Sequence, residues 1–283
     1  MSGADRPVGL ALGGGGALGF AHVPILEVFD ELGIRPAVIA GCSMGAIIGA
    51  AYAAGRSGRE IAGFLHGLRR QRGDLVQRLW RSRPRAVREL FGPMRATAGQ
   101  LVAETVLEAF GERLPQTFEE LAIPLRIVAT DFYGWHETLF TTGSVREAMA
   151  ASMALPLVFR PVMIGGRPHI DGGILNPLPF EHAVVEGGVL VAVDVIGGPM
   201  GRPGRVPRRI EAMIGSSQLM MRAITAEKMK GPIRPDIVIE PEVARFRPLD
   251  FRQVDAILAA GEAQKDELKR RLGALLAPRV ASG

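Results

Sequence analysis

A serine flanked by glycines is the residue of this chain best suited to nucleophilic chemistry. Gly41, Ser43 and Gly45 form the pattern of a nucleophile elbow, in which a strand turns sharply into a helix and presents a serine at the bend. The flanking glycines permit close approach to neighbouring backbone. A serine hydroxyl attacks an ester only if a base takes its proton during the attack. The pattern therefore predicts an acyl-transfer enzyme, provided that a base and a group stabilising negative charge lie nearby.

A candidate base lies much further along the chain, in the segment His169-Ile170-Asp171-Gly172-Gly173. An aspartate at the end of a strand, followed by Gly172 and Gly173, allows the close backbone approach that a base needs to reach a serine on another strand. An Asp-Gly turn without chemistry is the common alternative. We favour the base because Ser43 requires one.

A run of glycines near the start of the chain offers the third part of such a site. The loop Gly13 to Gly19 follows an apolar run at residues 8–12 and precedes a helical pattern from Phe20 to about Leu32. Its spacing, Gly14-x-Gly16-x-x-Gly19, also matches the dinucleotide fingerprint, but the acidic residue expected after the second strand is missing. We therefore interpret the loop as a row of backbone N–H groups that face an oxyanion. The alternatives are a nucleotide site and a tight turn without chemistry.

The elements around these residues predict one α/β domain. Largely apolar, β-prone runs occur at residues 8–12, 37–40, 124–131, 189–195 and 236–240. Consecutive strand–turn–helix units place their turns at the carboxyl ends of neighbouring strands, so the glycine loop and Ser43 should face one crevice. We expect a single domain over residues 1–283, with a motif-bearing core at about 8–195 and a C-terminal strand and helices at about 208–276 packed on it.

Two helical patterns in the C-terminal part make predictions about burial. The pattern at residues 208–230 predicts a helix whose apolar side faces the core, although methionines near a site also suit flexible acyl chains. That side consists of Ile210, Met213, Ile214, Met220, Met221 and Ile224. The pattern at residues 251–276 predicts one closing helix. Its inward residues are Val254, Ile257, Leu258, Leu268 and Leu272.

Positive charge is concentrated in one segment. The net charge is +5, yet eleven arginines and only three acidic residues lie between Arg56 and Arg95, in a helical pattern. Such a face could dock on anionic lipid headgroups or be a solvated surface. The membrane interpretation would use Arg69, Arg70, Arg72, Arg78, Arg81, Arg83, Arg85 and Arg88. No nucleic-acid partner is expected, because no aromatic stacking series or recognisable reading motif accompanies the arginines.

Composition narrows the class of protein further. The chain has 283 residues, of which 47% are hydrophobic, enough for a substantial core. The single cysteine, Cys42, excludes a disulfide framework and is best interpreted as a buried packing residue. Neither a metal nor a cofactor is predicted.

The N-terminus lacks the pattern of a signal peptide, and the uncharged span Ala37 to Gly55 is too rich in alanine and glycine to insert well into a bilayer. We expect a cytoplasmic protein, peripheral at the membrane if the arginine face binds lipid.

Four segments, in this order, resemble the patatin-like phospholipases. They are the glycine loop, the elbow Gly41 to Gly45, the segment 151–156 with Phe159 and Pro161, and Asp171-Gly172-Gly173. The resemblance covers about residues 8–195 and implies a doubly wound, mostly parallel α/β sheet flanked by helices. It also implies a serine hydrolase that cleaves carboxylic esters of phospholipids or related acyl lipids, through a Ser–Asp dyad and an acyl-enzyme.

The resemblance also assigns roles by position. Ser43 would be the nucleophile and Asp171 the base. The residues lining the oxyanion hole would be Gly14, Gly15, Gly16 and Met44, and the supporting motif glycines would be Gly13, Gly19, Gly41, Gly45, Gly172 and Gly173. One position departs from the family, because Leu18 stands where many members carry Arg or Lys before the last glycine of the loop. This departure puts the anchoring of the loop, or the headgroup preference, in question.

Two alternatives remain open. An esterase or thioesterase of the ordinary α/β-hydrolase kind would use His169 or His182 as its base, although His169 precedes Asp171 and so breaks the usual Ser–Asp–His order. The other alternative is a lipid- or nucleotide-binding protein that keeps the fold without catalysis. The exact substrate and the oligomeric state are not predicted by the sequence.

Overall fold

The computed structural model describes residues 6–70, 114–156, 158–201 and 204–277. Most of the arginine-rich helical pattern lies outside these ranges, and so does a second helical pattern that the sequence shows at residues 100–110. Of the arginine-rich segment, the described part is the helix Gly58–Arg70.

One mixed sheet organises the described chain. Its strands are β1 Val8–Leu12, β2 Val38–Cys42, β3 Leu125–Asp131, β4 His136–Phe140, β5 Val162–Ile164, β6 Arg167–Asp171, β7 Val189–Val193 and β8 Ile237–Ile239. Their order across the sheet is β5-β6-β3-β2-β1-β7-β8, with β4 also paired to β3. Strands β3, β2, β1, β7 and β8 are parallel, whereas β4 and β6 run antiparallel to β3. The chain moves outward from β1 in both directions, so the predicted doubly wound, mostly parallel fold class is confirmed.

Helices pack on the sheet and on one another. Within the described ranges the α-helices are α1 His22–Glu31, α2 Met44–Ala53, α3 Gly58–Arg70, α4 Val145–Ser152, α5 Arg209–Lys228, α6 Val254–Glu262 and α7 Lys265–Leu276. Short 3-10 helices cover Gly16–Ala21, Phe118–Glu120, Gly172–Ile174 and Phe180–Ala183.

The two faces of the central strands are covered differently. Leu10 and Leu12 of β1 point into the larger core, which they share with the apolar residues of α1 and α2. Ala11 points to the opposite face, where a smaller cluster contains Phe180. Alanine on this second face leaves room for the segment after β6 to lie directly on the sheet. That segment also reaches the carboxyl ends of the central strands, where the Pro177 carbonyl accepts the Gly14 N–H.

The C-terminal part adds β8 to the sheet edge and two helices to α1. The predicted single helix at 251–276 is wrong, because α6 ends at Glu262 and α7 begins at Lys265. Both helices contact α1. On α6, a Cβ on Gly261 would lie 2.4 Å from the Ala21 carbonyl oxygen just before α1, and the Lys265 ammonium bonds Glu27 on α1 at 2.9 Å.

The predicted orientation of α5 is also wrong. Met213 and Met220 are 48% and 58% exposed, whereas Gln218 and Thr225 are buried. The contacts of α5 include both kinds of side chain, since Lys228 donates to the Leu178 carbonyl and Met221 packs beside Gly173. The methionine spacing is therefore not a sign of core in this helix.

No helix among the described residues is long and apolar enough to cross a membrane.

Candidate active site

The bend between β2 and α2 has the geometry of a nucleophile elbow. Ser43 adopts φ 50° and ψ −120°, a region that non-glycine residues rarely occupy. The neighbouring glycines are required by space. A Cβ on Gly41 would lie 2.6 Å from Cα of Ala46, and a Cβ on Gly45 would lie 2.2 Å from the Leu12 carbonyl oxygen. The turn can therefore close against β1 only with glycine at these two positions.

A second serine supports the elbow. The Ser43 N–H donates to Oγ of Ser152, 2.8 Å away, at the end of α4. Ser152 is completely buried. Sequence reasoning included Ser152 in a family segment but gave it no role, and the only available signal was its place in that segment. The bond satisfies the N–H at the strained position and links α4 to the elbow.

Asp171 reaches Ser43 because two strands meet end to end along β3. Strand β4 pairs with one edge of β3, along residues 127–131. Strands β2 and β6 pair with the other edge of β3, β2 as far as Val128 and β6 from Ala129 onward. In the register, Cys42 at the end of β2 faces Val128, and Asp171 at the end of β6 faces Ala129. Because β6 runs antiparallel to β2, their carboxyl ends meet at this point.

The two candidate catalytic side chains are in direct contact. The Ser43 hydroxyl donates to Oδ2 of Asp171 at 2.7 Å, and the Gly173 N–H donates to Oδ1 at 2.7 Å. Glycine is again required here, because a Cβ on Gly172 would lie 2.3 Å from the Val128 carbonyl oxygen. Both side chains lie almost entirely out of solvent, with Ser43 9% and Asp171 4% exposed.

The environment of Asp171 makes its carboxylate a stronger base. Burial raises its pKa from 3.8 to about 6, while the hydrogen bonds from Ser43 and Gly173 act in the opposite direction. The neighbouring Cys42 thiol is also buried, and burial together with the charge of Asp171 raises its pKa well above the usual range. Cys42 is thus a protonated packing residue next to the site, as its sequence context predicted.

The glycine loop lies beside Ser43, and its N–H groups differ in availability. The Gly13 N–H donates to the Val193 carbonyl at 3.0 Å and the Gly14 N–H to the Pro177 carbonyl at 2.9 Å. The Gly14 N–H is therefore not free to donate to an oxyanion in this geometry, although Gly14 was predicted to line the oxyanion hole. Within the described ranges, no hydrogen-bond partner occupies the N–H of Gly15, Gly16 or Met44. These three N–H groups remain available for a ligand.

Contacts from other parts of the chain fix the loop. Gly16 has φ +59°, and a Cβ there would lie 2.3 Å from the Pro248 carbonyl oxygen, which also accepts the Ala17 N–H at 2.8 Å. On the other side, Nε2 of His22 lies 2.8 Å from the Gly13 carbonyl oxygen. Burial lowers the pKa of His22 to about 4, so the ring is neutral and donates its Nε2 proton to that carbonyl. His22 therefore holds the glycine loop through a hydrogen bond from the first residue of α1.

The sequence model of one family, described as patatin-like phospholipase, matches residues 10–184, which include Ser43, Asp171 and the whole glycine loop. The chain belongs to this family. An uncharacterised NTE family protein of Mycobacterium tuberculosis H37Rv is 37% identical over 204 residues, which cover 71% of this chain and 52% of that protein. The lysophospholipase nte1 of Aspergillus fumigatus is 29% identical over 191 residues, which cover 67% of this chain and 12% of that protein. The chain thus spans about half or less of the length of these relatives.

The fold of the family recurs in a solved structure. The crystal structure of VipD from Legionella pneumophila superposes with a TM-score of 0.52 at 14% identity, covering 94% of this chain and 67% of that chain. At this identity the similarity establishes the fold alone.

Leu18, the departure from the patatin-like pattern, has a clear structural role. It is fully buried in the larger core. Its Cδ1 would lie 2.7 Å from a Cβ on Gly197, so the leucine fits closely against the loop after β7. Apolar packing therefore anchors the glycine loop at the position where many patatin-like members carry a basic residue.

The histidines proposed as alternative bases have other partners. The ring nitrogens of His169 lie 3.0 Å from the Arg167 carbonyl oxygen and 3.2 Å from Oγ1 of Thr138. Nε2 of His182 pairs with the Glu137 carboxylate. In the described part of the chain, the hydrogen bond of the Ser43 hydroxyl goes to a carboxylate and not to a histidine.

One cluster has the composition of a cation site. The possible ligand atoms of Glu137, Glu181 and His182 lie within 4.8 Å of one another. The Lys228 ammonium donates to Glu181 at 2.7 Å, and the Asn176 amide donates to Glu181 at 2.8 Å. The Lys228 ammonium therefore pairs with one of the two carboxylates, and the other, that of Glu137, pairs with His182.

Proposed function

We propose that this protein is a serine lipid acyl hydrolase that cleaves carboxylic esters of phospholipids or lysophospholipids. Membership of the patatin-like phospholipase family and similarity to a lysophospholipase support the substrate class. The contact of 2.7 Å between Oγ of Ser43 and Oδ2 of Asp171 carries the proposal, because it joins a nucleophile to a base without an intervening histidine.

In the first half-reaction, Ser43 attacks the ester carbonyl while Asp171 takes the hydroxyl proton. A pKa of about 6 leaves Asp171 mostly ionised at neutral pH and makes it a stronger base than an exposed aspartate. The tetrahedral oxyanion accepts hydrogen bonds from the N–H groups of Gly15, Gly16 and Met44. Each such donor is worth about 3 kcal/mol in the transition state. Asp171 then gives the proton to the departing alcohol, and the acyl group stays on Ser43.

In the second half-reaction, water takes the place of the departed alcohol. Asp171 accepts a proton from the water as it attacks the acyl-enzyme, and returns the proton to Oγ of Ser43 as the fatty acid leaves. The same N–H groups stabilise the second oxyanion. One carboxylate thus serves as base and acid in both halves of the cycle.

The test compares four variants on a lysophospholipid and on a soluble short-chain ester. We expect Ser43→Ala and Asp171→Asn each to lower kcat by about a thousandfold or more. His169→Ala and His182→Ala should retain most turnover, because neither ring bonds Ser43. Near-complete loss in either histidine variant, with Asp171→Asn still active, would assign the base to a histidine.

Covalent labelling separates the hydrolase from a binding protein. A fluorophosphonate probe should label the wild type and not Ser43→Ala. Equal labelling of the two proteins would identify the chain as a non-catalytic member of the fold. Profiling of lipids consumed by the wild type and spared by Ser43→Ala then distinguishes phospholipid, lysophospholipid, neutral glyceride and acyl thioester.

A further inference from the structure

The turn between β3 and β4 displays three aromatic side chains to solvent. Phe132, Tyr133 and Trp135 are 48%, 76% and 86% exposed. The whole chain contains two tryptophans and two tyrosines, so this one turn holds half of each. Single exposed apolar residues are common on protein surfaces, but three adjacent aromatic residues mark a site of interaction.

The turn is held in its conformation by bonds to a buried carboxylate, that of Asp131. Oδ1 of Asp131 accepts the Gly134 N–H at 2.8 Å, and Oδ2 pairs with the Arg167 guanidinium. Burial of Asp131 opposes its ionisation, but the bonds from Gly134 and Arg167 outweigh burial and lower its pKa. Trp135 is held at φ +58°, an unusual conformation for a bulky residue. The bonds of Asp131 and the backbone conformation of Trp135 therefore hold the aromatic rings toward solvent.

The strand register places this turn at the same end of the strands as the proposed active site. Strand β2 ends at Cys42, which faces Val128, and the parallel strand β3 continues for three more residues to Asp131. Three residues of strand correspond to about 10 Å. The aromatic turn thus projects beyond Ser43 in the direction in which the carboxyl ends of the strands open.

We propose that residues 132–135 anchor the protein in a phospholipid bilayer, with the rings at the level of the headgroups. This proposal rests on the proposed function, since it supplies the substrate surface. Tryptophan and tyrosine are the residues enriched at membrane interfaces, because their rings are apolar and their edges are polar.

The charges around the turn fit a phosphate-bearing surface. The carboxylate of Asp131 is 2% exposed and paired, whereas the side chain of its partner Arg167 is 57% exposed. Met163, on the adjacent β5–β6 hairpin, adds an apolar side chain that is 62% exposed. The turn therefore offers rings, a thioether and a cation to the bilayer, and it keeps its one carboxylate away from the headgroup phosphates.

Binding is measured in the inactive Ser43→Ala background by flotation with phosphatidylcholine vesicles. The test variant combines Tyr133→Ser with Trp135→Asn, because asparagine tolerates the left-handed conformation. We expect its vesicle partitioning to fall by at least tenfold. The matched control is Leu32→Ser, which removes an exposed apolar residue that follows α1 at the opposite end of the strands. This variant should leave vesicle partitioning unchanged.

Fluorescence locates the contact. With Trp80→Phe, Trp135 is the only tryptophan, and its emission should shift to the blue on vesicles and be quenched by brominated acyl chains. A tryptophan introduced by Leu32→Trp, with both natural tryptophans replaced by phenylalanine, should show neither effect. Unshifted and unquenched Trp135 emission with vesicle-bound protein would overturn the proposal.

Turnover of a soluble monomeric ester, measured with Ser43 restored, separates this proposal from the proposed function. The double variant should keep that turnover and lose turnover on vesicles. If the wild type lacks ester turnover but its vesicle binding still depends on the turn, the hydrolase assignment fails and the anchor stands. If the double variant binds vesicles normally and instead loses self-association in sedimentation, the turn is a protein contact and the anchor is overturned.

Discussion

At the scale of single residues, Ser43, the proposed nucleophile, has an unfavourable backbone conformation. Its φ of 50° with ψ of −120° is worth on the order of 1–3 kcal/mol of strain for a residue with a Cβ. Ser43→Gly should therefore be more stable than Ser43→Ala by about 1–2 kcal/mol, the reverse of the usual order inside helices. Both variants should be inactive. Chemical denaturation provides the comparison, and equal stability would mean that the elbow is relaxed.

Asp171 links activity and stability to pH in opposite directions. Its pKa of about 6 predicts that kcat/KM rises through pH 6 with one ionisation, since only the carboxylate can accept the Ser43 proton. The folded protein holds this proton more tightly than the unfolded chain. The stability that Asp171 contributes is therefore present below about pH 4 and lost as the pH rises through 6.

A stability measurement checks this linkage. The shift from 3.8 to about 6 corresponds to about 3 kcal/mol. Asp171→Asn should accordingly be inactive yet more stable than the wild type at pH 8, by up to about 3 kcal/mol, and should show little gain at pH 4. A gain that is the same at both pH values would show that burial of the charge is not its cause.

Ser152 is predicted to matter for turnover without touching substrate. Removal of its hydroxyl leaves the buried Ser43 N–H without an acceptor, which should destabilise the protein by about 1–3 kcal/mol and let the elbow relax. Ser144→Ala is the matched control, because this serine caps the same helix through the Glu147 N–H. It should lower stability by about 1 kcal/mol and leave kcat unchanged. A similar kcat for both variants would deny Ser152 a positioning role.

At the scale of elements, the glycine loop depends on the C-terminal segment. Gly16→Ala would place a methyl group 2.3 Å from the Pro248 carbonyl oxygen, so the loop or residues 246–250 must shift. We expect a loss of about 2–3 kcal/mol in stability and a larger proportional loss in kcat than in substrate binding. Gly198→Ala, where nothing lies within 4 Å of the added atom, should change neither quantity.

The sequence predicted those elements whose signal is local. The apolar runs of β1, β2, β3 and β7 and the glycines at the turns identify strands and their ends without knowledge of neighbours. The exposed methionines of α5 were not predictable in this way, because the side of that helix that becomes buried depends on distant contacts, such as the bond from Lys228 to the Leu178 carbonyl. The break between α6 and α7 was missed because the apolar residues keep a helical spacing on both sides of it, from Val254 to Leu272.

The same distinction applies to the site. Ser43 and Asp171 are recognisable from the residue types around them, and the structure has them in contact. The commitment of the Gly14 N–H to Pro177 and the acceptor role of Ser152 were not recognisable, because each depends on a partner distant in the chain. Residue patterns identify reactive groups, whereas the availability of a hydrogen bond depends on tertiary packing.

At the scale of the whole molecule, two surfaces bear on membrane attachment and should be separable by salt. The arginines at positions 69–88 remain a sequence prediction, since the structure does not describe their side chains. Their contribution should require anionic lipid and disappear between about 0.1 and 1 M salt, as the Debye length falls from about 10 to 3 Å. The contribution of the aromatic turn should persist.

Flotation at both salt concentrations, with anionic and neutral vesicles, measures the two contributions. Replacement of the arginines by glutamine should remove the salt-dependent part alone. Salt-sensitive loss of all binding to neutral vesicles would contradict this separation.

Because β2 and β6 meet end to end along β3, the number of residues in this third strand sets the distance between the proposed nucleophile and the proposed base. Val128 fixes the level of one and Ala129 the level of the other. One additional residue inserted between them would move the reacting groups apart by about 3.3 Å, more than a proton transfer can span. The proposed reaction thus depends on the length of β3, a strand that contributes no reacting group of its own.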